Sequence, residues 1–216
     1  MRPSSITQLP EAMPIFPLAG VLLLPFGRLP LNIFEPRYLA MVRHALATDW
    51  MIGMVQPRDA KDPAAEPDVY QVACAGRLTR VEETEDGRYL IMLTGLCRFD
   101  IEGELPLLSG FRQARAKWSR FAGDLRRPDA DAAGRERLLP VLREYFAGHK
   151  ISPDWQNIEQ LPSDQLVNTL AMQCPFDPRE KQALLESPGP RERTELMISL
   201  LAMSALDRSG DTGVSH

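Results

Sequence analysis

The sequence predicts an α+β protein, with a β-rich first part followed by a helical second part. Up to about Gly123, short apolar runs and alternating apolar and polar residues are typical of strands. After a charged segment at residues 124–129, apolar residues recur at helical spacing. We therefore predict a polar lead-in at residues 1–11, a β-rich, barrel-like part with one helix at 12–123, a helical bundle at 124–208 and a flexible tail at 209–216.

The first two predicted strands lie on either side of a proline-containing break. Residues 14–18 and 29–34 are apolar runs of strand length, separated by Pro25-Phe26-Gly27. Because proline is confined to strand ends, edges or bulges, both strands are expected to be short and bent. Pro36 suits the first position of a helix. The apolar residues of that helix share one face: Leu39, Met41, Val42, Ala45 and Leu46.

The clearest hairpin signal is Asp86-Gly87. Residues 77–85 and 88–93 have strand character on either side, and Asp-Gly suits the positive φ angles of a two-residue type I′ turn. A buried strand at Met51–Val55 and a proline- and aspartate-rich loop at 56–68 are expected before it. Alternation at 97–101 and 114–118 predicts two more half-buried strands.

Four or five helices are predicted after the charged segment. An apolar stripe at residues 138–146 ends at Gly148, and Pro140 within it predicts a kink or a later start. Ser152 is the expected N-cap of a short helix with Pro153 at its first position, and Ser163 is expected to open the next. Residues 177–180 resemble a capping box, and a last helix is predicted from about 190 to 207.

Composition limits the classes of partner and the compartment. The formal net charge is −4, so there is no basic excess for nucleic acid. Three cysteines without CxxC spacing are typical of a reducing compartment, and the N-terminus has no apolar signal-peptide core, so a cytoplasmic location is expected. The longest apolar run, residues 21–26, is too short to span a bilayer.

No catalytic or metal-binding pattern is predicted. His44, His149 and His216 have no ligand spacing with one another or with cysteine. There is no phosphate-binding loop and no G-x-S-x-G sequence. The acidic cluster at residues 82–86 lies at a hairpin tip, where carboxylates are usually solvated. We therefore predict a protein without enzymatic activity, cofactor or metal.

Three segments resemble the substrate-binding domain family found at the N-terminus of Lon proteases. The first is the opening stretch with Phe34-Glu35-Pro36-Arg37-Tyr38, the second is Gly95-Leu96-Cys97-Arg98-Phe99, and the third is residues 180–186, EKQALLE. The resemblance implies a PUA-like β pseudo-barrel followed by a C-terminal helical bundle. It also implies a free-standing member without the ATPase or protease domains, acting as a non-enzymatic polypeptide-binding module.

Five residues are candidates for the polypeptide-binding site. Large apolar and arginine side chains dominate binding hot spots, and the candidates are Phe26, Phe34, Arg37, Tyr38 and Trp118. The expected ligand is an unfolded or extended polypeptide segment, captured in an apolar groove between barrel and bundle or by strand addition at an open sheet edge. The protein would be an adaptor or client-recognition protein that works with a protease or chaperone. The alternative is an architectural role, in which Glu35 and Arg37 form an ion pair and cap that fix how the helix leaves the barrel, with Tyr38 packing beneath.

Two other classes of function stay open. PUA-like barrels can bind RNA, and Arg112, Arg115, Lys117 and Arg120 form a basic cluster in the sequence. A small-molecule binder or hydrolase with a pocket between barrel and bundle is the other alternative.

Overall fold

A computed structural model describes residues 2–59, 61, 66–127, 132–149 and 151–211. The chain forms two compact units. The first comprises Met1–Arg127 and Phe176–Leu185, and the second comprises Pro128–Pro175 and Glu186–His216. The sequence predicts one boundary near residue 124, whereas in the structure a segment from the helical part groups with the β-rich unit.

The first unit contains six strands and one α-helix before residue 128. The strands are β1 (Ala12–Pro17), β2 (Arg28–Ile33), β3 (Met51–Val55), β4 (Val72–Glu83), β5 (Tyr89–Leu108) and β6 (Phe111–Lys117). Helix α1 (Pro36–Ala47) follows β2, and short 3-10 segments lie at Ile6–Gln8 and Ser119–Leu125. Each predicted strand overlaps an observed strand, but the two strands predicted at residues 88–93 and 97–101 form the single strand β5. The predicted helix start at Pro36 is confirmed.

The length of β5 allows the sheet to close on itself. The strand order is β2-β5-β4-β3-β1-β6, and β6 pairs again with β5. The first part of β5 pairs with β2 and β4, and its second part, from Asp100 to Leu108, pairs with β6. The closed circuit β5-β4-β3-β1-β6 is a β pseudo-barrel, with β2 attached outside it. The predicted α+β class and PUA-like barrel are confirmed.

The core of this unit fills the barrel and the space under α1. Ile15, Ile52, Leu93, Phe99 and Phe111 are fully buried. Every residue of β3 is buried because β1 and β4 pair with it on both sides and α1 packs against it. Burial on this scale contributes about 1.5–3 kcal/mol for each large apolar side chain.

The turn of the predicted β-hairpin differs from the prediction, and a second hairpin turn joins β5 to β6. The prediction of a two-residue turn at Asp86-Gly87 is wrong. The Thr84 N–H donates to the Arg88 carbonyl at 2.9 Å, and Gly87 has a positive φ of 79° whereas Asp86 does not. A three-residue loop therefore connects β4 to β5. Positive φ at two successive residues, as a type I′ turn requires, occurs instead at Ser109 (49°) and Gly110 (83°) between β5 and β6.

Helix α5 (Pro178–Glu186) packs on the barrel unit, although it lies among the helices in sequence. The predicted capping box is confirmed: Asp177 accepts from the Glu180 N–H at 2.8 Å, and Glu180 accepts from the Asp177 N–H at 2.8 Å. Lys181 donates to the Gly20 carbonyl at 2.8 Å. Gln182 donates to the carbonyl of the first residue of β4 at 3.1 Å, so buried polar groups hold α5 on the barrel.

The second unit is helical. Its helices are α2 (Ala132–Gly148), α3 (Trp155–Gln160), α4 (Ser163–Gln173) and α6 (Pro190–Asp211). Within it, Arg135 donates to the carbonyls of Leu161 at 2.6 Å and Ile158 at 2.9 Å, at the end of α3. The apolar stripe of α2 is buried as predicted at Leu138, Leu142 and Tyr145.

Several helix boundaries differ from the prediction. The N-cap of α3 is Asp154, which accepts from the Asn157 N–H at 3.1 Å, and not Ser152. Helix α2 begins well before Pro140 and runs through it. Helix α6 continues to Asp211, and the rest of the predicted tail, residues 212–216, lies outside the described residues. The same is true of residues 128–129 of the predicted charged segment and of residues 60 and 62–65 of the predicted loop.

Candidate functional site

The junction between β2 and α1 carries three of the five predicted site residues. Phe34 follows β2 and is 59% exposed, the second-highest value among the exposed large apolar residues. Glu35 is the N-cap of α1 through its backbone alone, because its carboxylate is paired with the Arg37 side chain at 3.0 Å. The ion pair predicted as an architectural alternative is therefore present, and Phe34 remains the exposed member of the junction.

Arg37 and Tyr38 line a cleft of about 120 Å³. The Tyr38 ring packs on Phe16 with ring centres 4.3 Å apart, and the Arg37 guanidinium lies 4.6 Å from the Tyr38 ring centre. Burial raises the pKa of the Tyr38 hydroxyl, against the lowering effect of the Arg37 charge, so the phenol is protonated at neutral pH. The other residues of the cleft are Pro17, Glu66, Pro67, Gly110, Phe111 and Arg112.

Both arginines of this cleft are paired with carboxylates, Arg37 with Glu35 and Arg112 with Glu104. Arg112 is buried, forms a two-point ion pair with the exposed Glu104 carboxylate, and donates to the Pro67 carbonyl at 2.7 Å. The cleft volume is also below the roughly 300–1,000 Å³ typical of small-molecule sites. These two features disfavour a small-molecule or hydrolytic site at this cleft.

The turn between β5 and β6 lies against the same cleft. A Cβ on Gly110 would be 3.4 Å from the Arg37 Cβ. Leu107 and Leu108, directly before this turn, are 47% and 40% exposed. Sequence reasoning missed both leucines because it did not recognise the Ser109-Gly110 turn. The signal was available, since Ser-Gly is a turn dipeptide and follows the apolar pair directly.

A second exposed apolar area lies where β2 runs beside β5. Ile33 pairs with Tyr89, so Phe34 lies next to the start of β5, where the Arg88 guanidinium is 6.0 Å from its ring centre. Leu90, opposite Asn32, is 42% exposed. We call Phe34 and Leu90, together with β2, the β2 edge surface.

The strand β2 has an open edge. Among the strands of the described residues it pairs with β5 alone, from Arg28 opposite Thr94 to Ile33 opposite Tyr89. Leu29 and Leu31 are half-buried, and Pro30 between them is exposed and has no N–H to donate. Apart from the donor that Pro30 lacks, such an edge presents backbone donors and acceptors to an incoming extended segment.

The remaining two predicted site residues lie elsewhere in the first unit. Trp118 is 7% exposed, packs on Phe99 with ring centres 5.2 Å apart, and donates through its indole N–H to the Pro10 carbonyl at 3.0 Å. Phe26 is half-buried beneath the Arg2 guanidinium. The structure thus brings Arg37 and Tyr38 together next to Phe34, and it places neither Phe26 nor Trp118 in that cleft.

The basic cluster that favoured RNA is largely paired with carboxylates. Arg112 binds Glu104, Lys117 lies 3.1 Å from Glu102, and Arg120 lies 3.1 Å from Asp100. Each of these carboxylates comes from β5, next to the strand or turn that carries the cation. The local charge is therefore close to neutral, which disfavours a phosphate-binding surface at this place.

Within the described residues, no three His, Cys, Asp or Glu side chains come together as a metal site would require. Burial, reinforced by the nearby Asp124 carboxylate, raises the pKa of the Cys97 thiol to about 12. This thiol is therefore not a nucleophile at neutral pH. None of the helices in the described ranges is both long and apolar enough to cross a membrane.

A protein-family model and several curated proteins match most of the chain. The model described as the ATP-dependent protease La (LON) substrate-binding domain matches residues 12–203. Lon protease 2 of Myxococcus xanthus is 26% identical over 201 residues, covering 89% of this chain and 24% of that protein. The Lon protease of Trichlorobacter lovleyi is 29% identical over 204 residues, covering 90% and 24%. The chain spans about a quarter of the length of these relatives.

Solved structures show a similar fold. The crystal structure of a Lon N-terminal domain protein from Xanthomonas campestris superposes with a TM-score of 0.63 at 20% identity, covering 87% of this chain and 97% of that one. The N-terminal domain of the Mycobacterium avium complex Lon protease has a TM-score of 0.64 at 13% identity, covering 88% and 98%. At these identities the likeness concerns the fold alone.

Proposed function

The chain belongs to the family of LON substrate-binding domains, and we propose that it binds extended or unfolded polypeptide segments as a client-recognition module. The relatives are named as proteases, but the chain matches only about a quarter of their length. The proposal therefore gives this chain the binding step and assigns it no catalysis. Its partner is a polypeptide client, with a protease or chaperone acting on that client afterwards.

The β2 edge surface is the observation that carries this proposal. An extended segment that adds to β2 forms main-chain hydrogen bonds with the open edge, which require no particular client sequence. Alternate side chains of that segment then lie on the same face as apolar groups of the edge. Phe34 and Leu90 supply exposed apolar area there, 59% and 42% exposed. This combination suits clients that share exposed apolar character but not sequence.

The residues after Phe34 extend the same surface along the chain. Tyr38 presents part of its ring to the cleft, and Leu107 and Leu108 are exposed at the turn beside Arg37. Arg37 is held by Glu35, so it contributes a fixed side chain and not a free charge. We assign the client contacts to Phe34, Arg37 and Tyr38 of the predicted residues. Phe26 and Trp118 act on the fold of the barrel unit.

Substitution of Phe34 tests the proposal directly. The client is a reduced, alkylated protein that cannot refold. We expect Phe34→Ala to weaken its binding by about tenfold, since a central aromatic anchor contributes about 1.4 kcal/mol or more. Fluorescence anisotropy of the labelled client measures the affinity. The free energy of unfolding should change little because Phe34 is largely exposed.

Met203→Ala is the matched control. Met203 is 60% exposed, as apolar as Phe34, and lies on α6 in the second unit. Its substitution should leave client affinity unchanged. Equal losses for both variants would show non-specific apolar adhesion, and no loss for Phe34→Ala would remove the β2 edge surface from the proposal.

A further inference from the structure

The side chain of Arg2 occupies a pocket on the barrel unit that none of the preceding functional assignments uses. Its guanidinium donates to the carbonyls of Gly95 at 3.2 Å, Leu96 at 2.7 Å and Asp124 at 3.1 Å. The guanidinium carbon lies 3.5 Å from the ring centre of Phe26. A planar guanidinium has forked donors that suit converging carbonyls and a face that stacks on an aromatic ring, and this pocket offers both.

A β-bulge supplies the carbonyls. Gly76 pairs with Gly95 and Ala75 pairs with Cys97, so Leu96 is an extra residue in β5. A bulged residue leaves the ladder and its carbonyl is re-aimed. The Leu96 carbonyl accordingly accepts the shortest of the Arg2 hydrogen bonds.

The walls of the pocket are held in place without Arg2. Phe26 has a φ of 67° and donates its N–H to the Gly95 carbonyl at 2.9 Å, and the next residue donates to Leu24 at 2.9 Å. The Asp124 carboxylate is held by the Arg98 guanidinium at 2.8 Å. Because separate interactions fix each wall, the pocket is preformed in the barrel unit.

Arg2 fills this pocket imperfectly. Its Nε is buried, and no described residue accepts a hydrogen bond from it. A second cation, Arg127, lies 5.5 Å from the centre of the same Phe26 ring. Burial lowers the pKa of the Arg2 guanidinium, and the Arg127 charge lowers it further. The nearby Cys74, Cys97 and Asp124 act in the opposite direction. The bound cation therefore bears a desolvation cost and a like-charge repulsion.

The segment that carries Arg2 makes few other hydrogen bonds to the barrel, although Pro3 and Leu9 are buried and Ile6–Gln8 packs against Ser119–Leu125. Ile6–Gln8 is a short 3-10 segment, and the N–H groups of Ser4 and Thr7 donate to side chains within residues 4–8. The chain becomes tied to the barrel at Pro10, which accepts from Trp118, and at Glu11, whose carbonyl accepts from Ala116. Among residues 2–9, all of which the structure describes, Arg2 provides the side-chain hydrogen bonds to the barrel.

We propose that the pocket formed by Gly95, Leu96, Asp124 and Phe26 is a guanidinium-binding site that Arg2 occupies in cis and that an arginine side chain of a bound polypeptide occupies in trans. Arg2 leaves its buried Nε without a hydrogen-bond acceptor. A client arginine whose Nε donates to an acceptor in the client itself would not leave a donor unpaired. Exchange then gives arginine-bearing clients an affinity that lysine-bearing clients lack, since an ammonium cannot stack and fork at once. The in-trans part rests on the proposed polypeptide binding; the pocket itself does not.

Chemical rescue tests the pocket. The full chain with Arg2→Ala is heated with millimolar N-acetylarginine methylamide, and separately with N-acetyllysine methylamide. We expect the arginine compound alone to raise Tm by about 2–4 °C, as a ligand that binds only the folded protein does. The rescue should vanish in Arg2→Ala with Phe26→Leu, which removes the ring. Equal effects of both compounds, or rescue that persists without the ring, would overturn the pocket.

A peptide pair tests the in-trans ligand. Two labelled extended peptides differ at one position, which is arginine in one and lysine in the other. The affinity of each peptide is measured for the wild-type protein and for Arg2→Ala. Removal of the cis occupant should tighten the arginine peptide by about tenfold and leave the lysine peptide unchanged. An equal gain for both peptides would overturn arginine recognition.

The failures of the two proposals are distinguishable. Rescue by the arginine compound with no binding of either peptide supports the pocket and overturns polypeptide binding. Binding of both peptides without rescue overturns the pocket and supports the proposed function. If Arg2→Ala does not fold, Arg2→Met retains the aliphatic stem and serves in the same measurements, because it too removes every guanidinium hydrogen bond.

Discussion

Four residues of the Gly95-Leu96-Cys97-Arg98-Phe99 segment each have a different physical role in the barrel unit. A Cβ on Gly95 would lie 2.0 Å from the Leu24 carbonyl oxygen, so only glycine fits there. Leu96 forms the bulge, and Phe99 is fully buried against Trp118. Arg98 makes a buried two-point ion pair with Asp124 at 2.8 Å. The sequence marks this segment as a family signature, and the structure explains why these residue types are needed.

Arg98 also reaches α5. Its side chain donates to the Leu185 carbonyl at 2.9 Å in the last turn of that helix, and its backbone N–H donates to Asp124 at 3.0 Å. The guanidinium lies 4.4 Å from the Phe121 ring centre. One side chain therefore joins β5, the Ser119–Leu125 segment and α5.

Removal of the Arg98 guanidinium should strongly destabilise the folded protein. We expect Arg98→Ala to lower the free energy of unfolding by about 3–5 kcal/mol, because it leaves the largely buried Asp124 carboxylate without its partner. Urea unfolding followed by circular dichroism measures the change. Arg80→Ala breaks the Arg80–Glu82 pair, whose side chains are 76% and 53% exposed, and should cost under about 1 kcal/mol. Similar losses for the two variants would contradict a buried linking role for Arg98.

Among the candidate site residues, sequence reasoning could identify side-chain chemistry but not exposure. Phe34 and Trp118 are both large aromatic residues next to predicted strands, yet Phe34 is 59% and Trp118 7% exposed. The difference arises because the indole N–H finds the Pro10 carbonyl, 108 residues away in the chain. No local pattern contains that contact.

At the scale of elements, local signals predicted the regular segments well. Pro36 begins α1, and Asp177 and Glu180 form the capping box of α5. These signals work because each is satisfied within one turn of helix. The prediction of a two-residue turn at Asp86-Gly87 failed because this dipeptide permits such a turn but does not exclude a longer loop closed by Thr84 and Arg88.

The β5–β6 turn depends on glycine at position 110. We expect Gly110→Ala to cost about 1–2 kcal/mol, since its φ is 83° and an L side chain there is strained. The new Cβ would lie at van der Waals distance, 3.4 Å, from the Arg37 Cβ, so the cost arises from the backbone conformation. Thermal unfolding measures the stability.

Gly103→Ala is the control within the same hairpin. Gly103 lies in β5, has no positive φ, and a Cβ there meets no atom within 4 Å. It should be neutral or slightly stabilising. A cost at position 103 equal to that at 110 would show that strand flexibility, and not turn conformation, determines the effect.

At the scale of the whole molecule, the barrel unit is discontinuous in sequence. Residues 176–185 follow helices α2, α3 and α4 of the second unit, yet they group with Met1–Arg127. Leu184 and Leu185 are 0% and 2% exposed, and Gln182 is 3% exposed. The unit therefore includes apolar area and hydrogen-bond partners that lie about sixty residues beyond its last strand.

A fragment should reveal this dependence. A chain ending at Arg127 lacks α5, and we expect it to unfold at markedly lower urea than the full chain, because each buried leucine contributes about 1.5–3 kcal/mol. Addition of a synthetic peptide of residues 176–186 should restore stability in a concentration-dependent manner. The same peptide with Leu184→Asp is the control. A fragment as stable as the full chain, or equal rescue by both peptides, would contradict the discontinuous unit.

Local sequence signals are sufficient for the α+β class, the order of strands and helices along the chain, and the helix starts at Pro36 and Pro178. These follow from periodicity, capping and turn chemistry, which act over a few residues, and three short segments indicate the family. The exposure of each aromatic residue, the place where Arg2 binds and the packing of α5 on the barrel are visible in the folded structure alone. Those depend on contacts between residues as far apart as 95 and 2, or 182 and 72. Local sequence does not specify such contacts, because they arise when the long β5 closes the barrel.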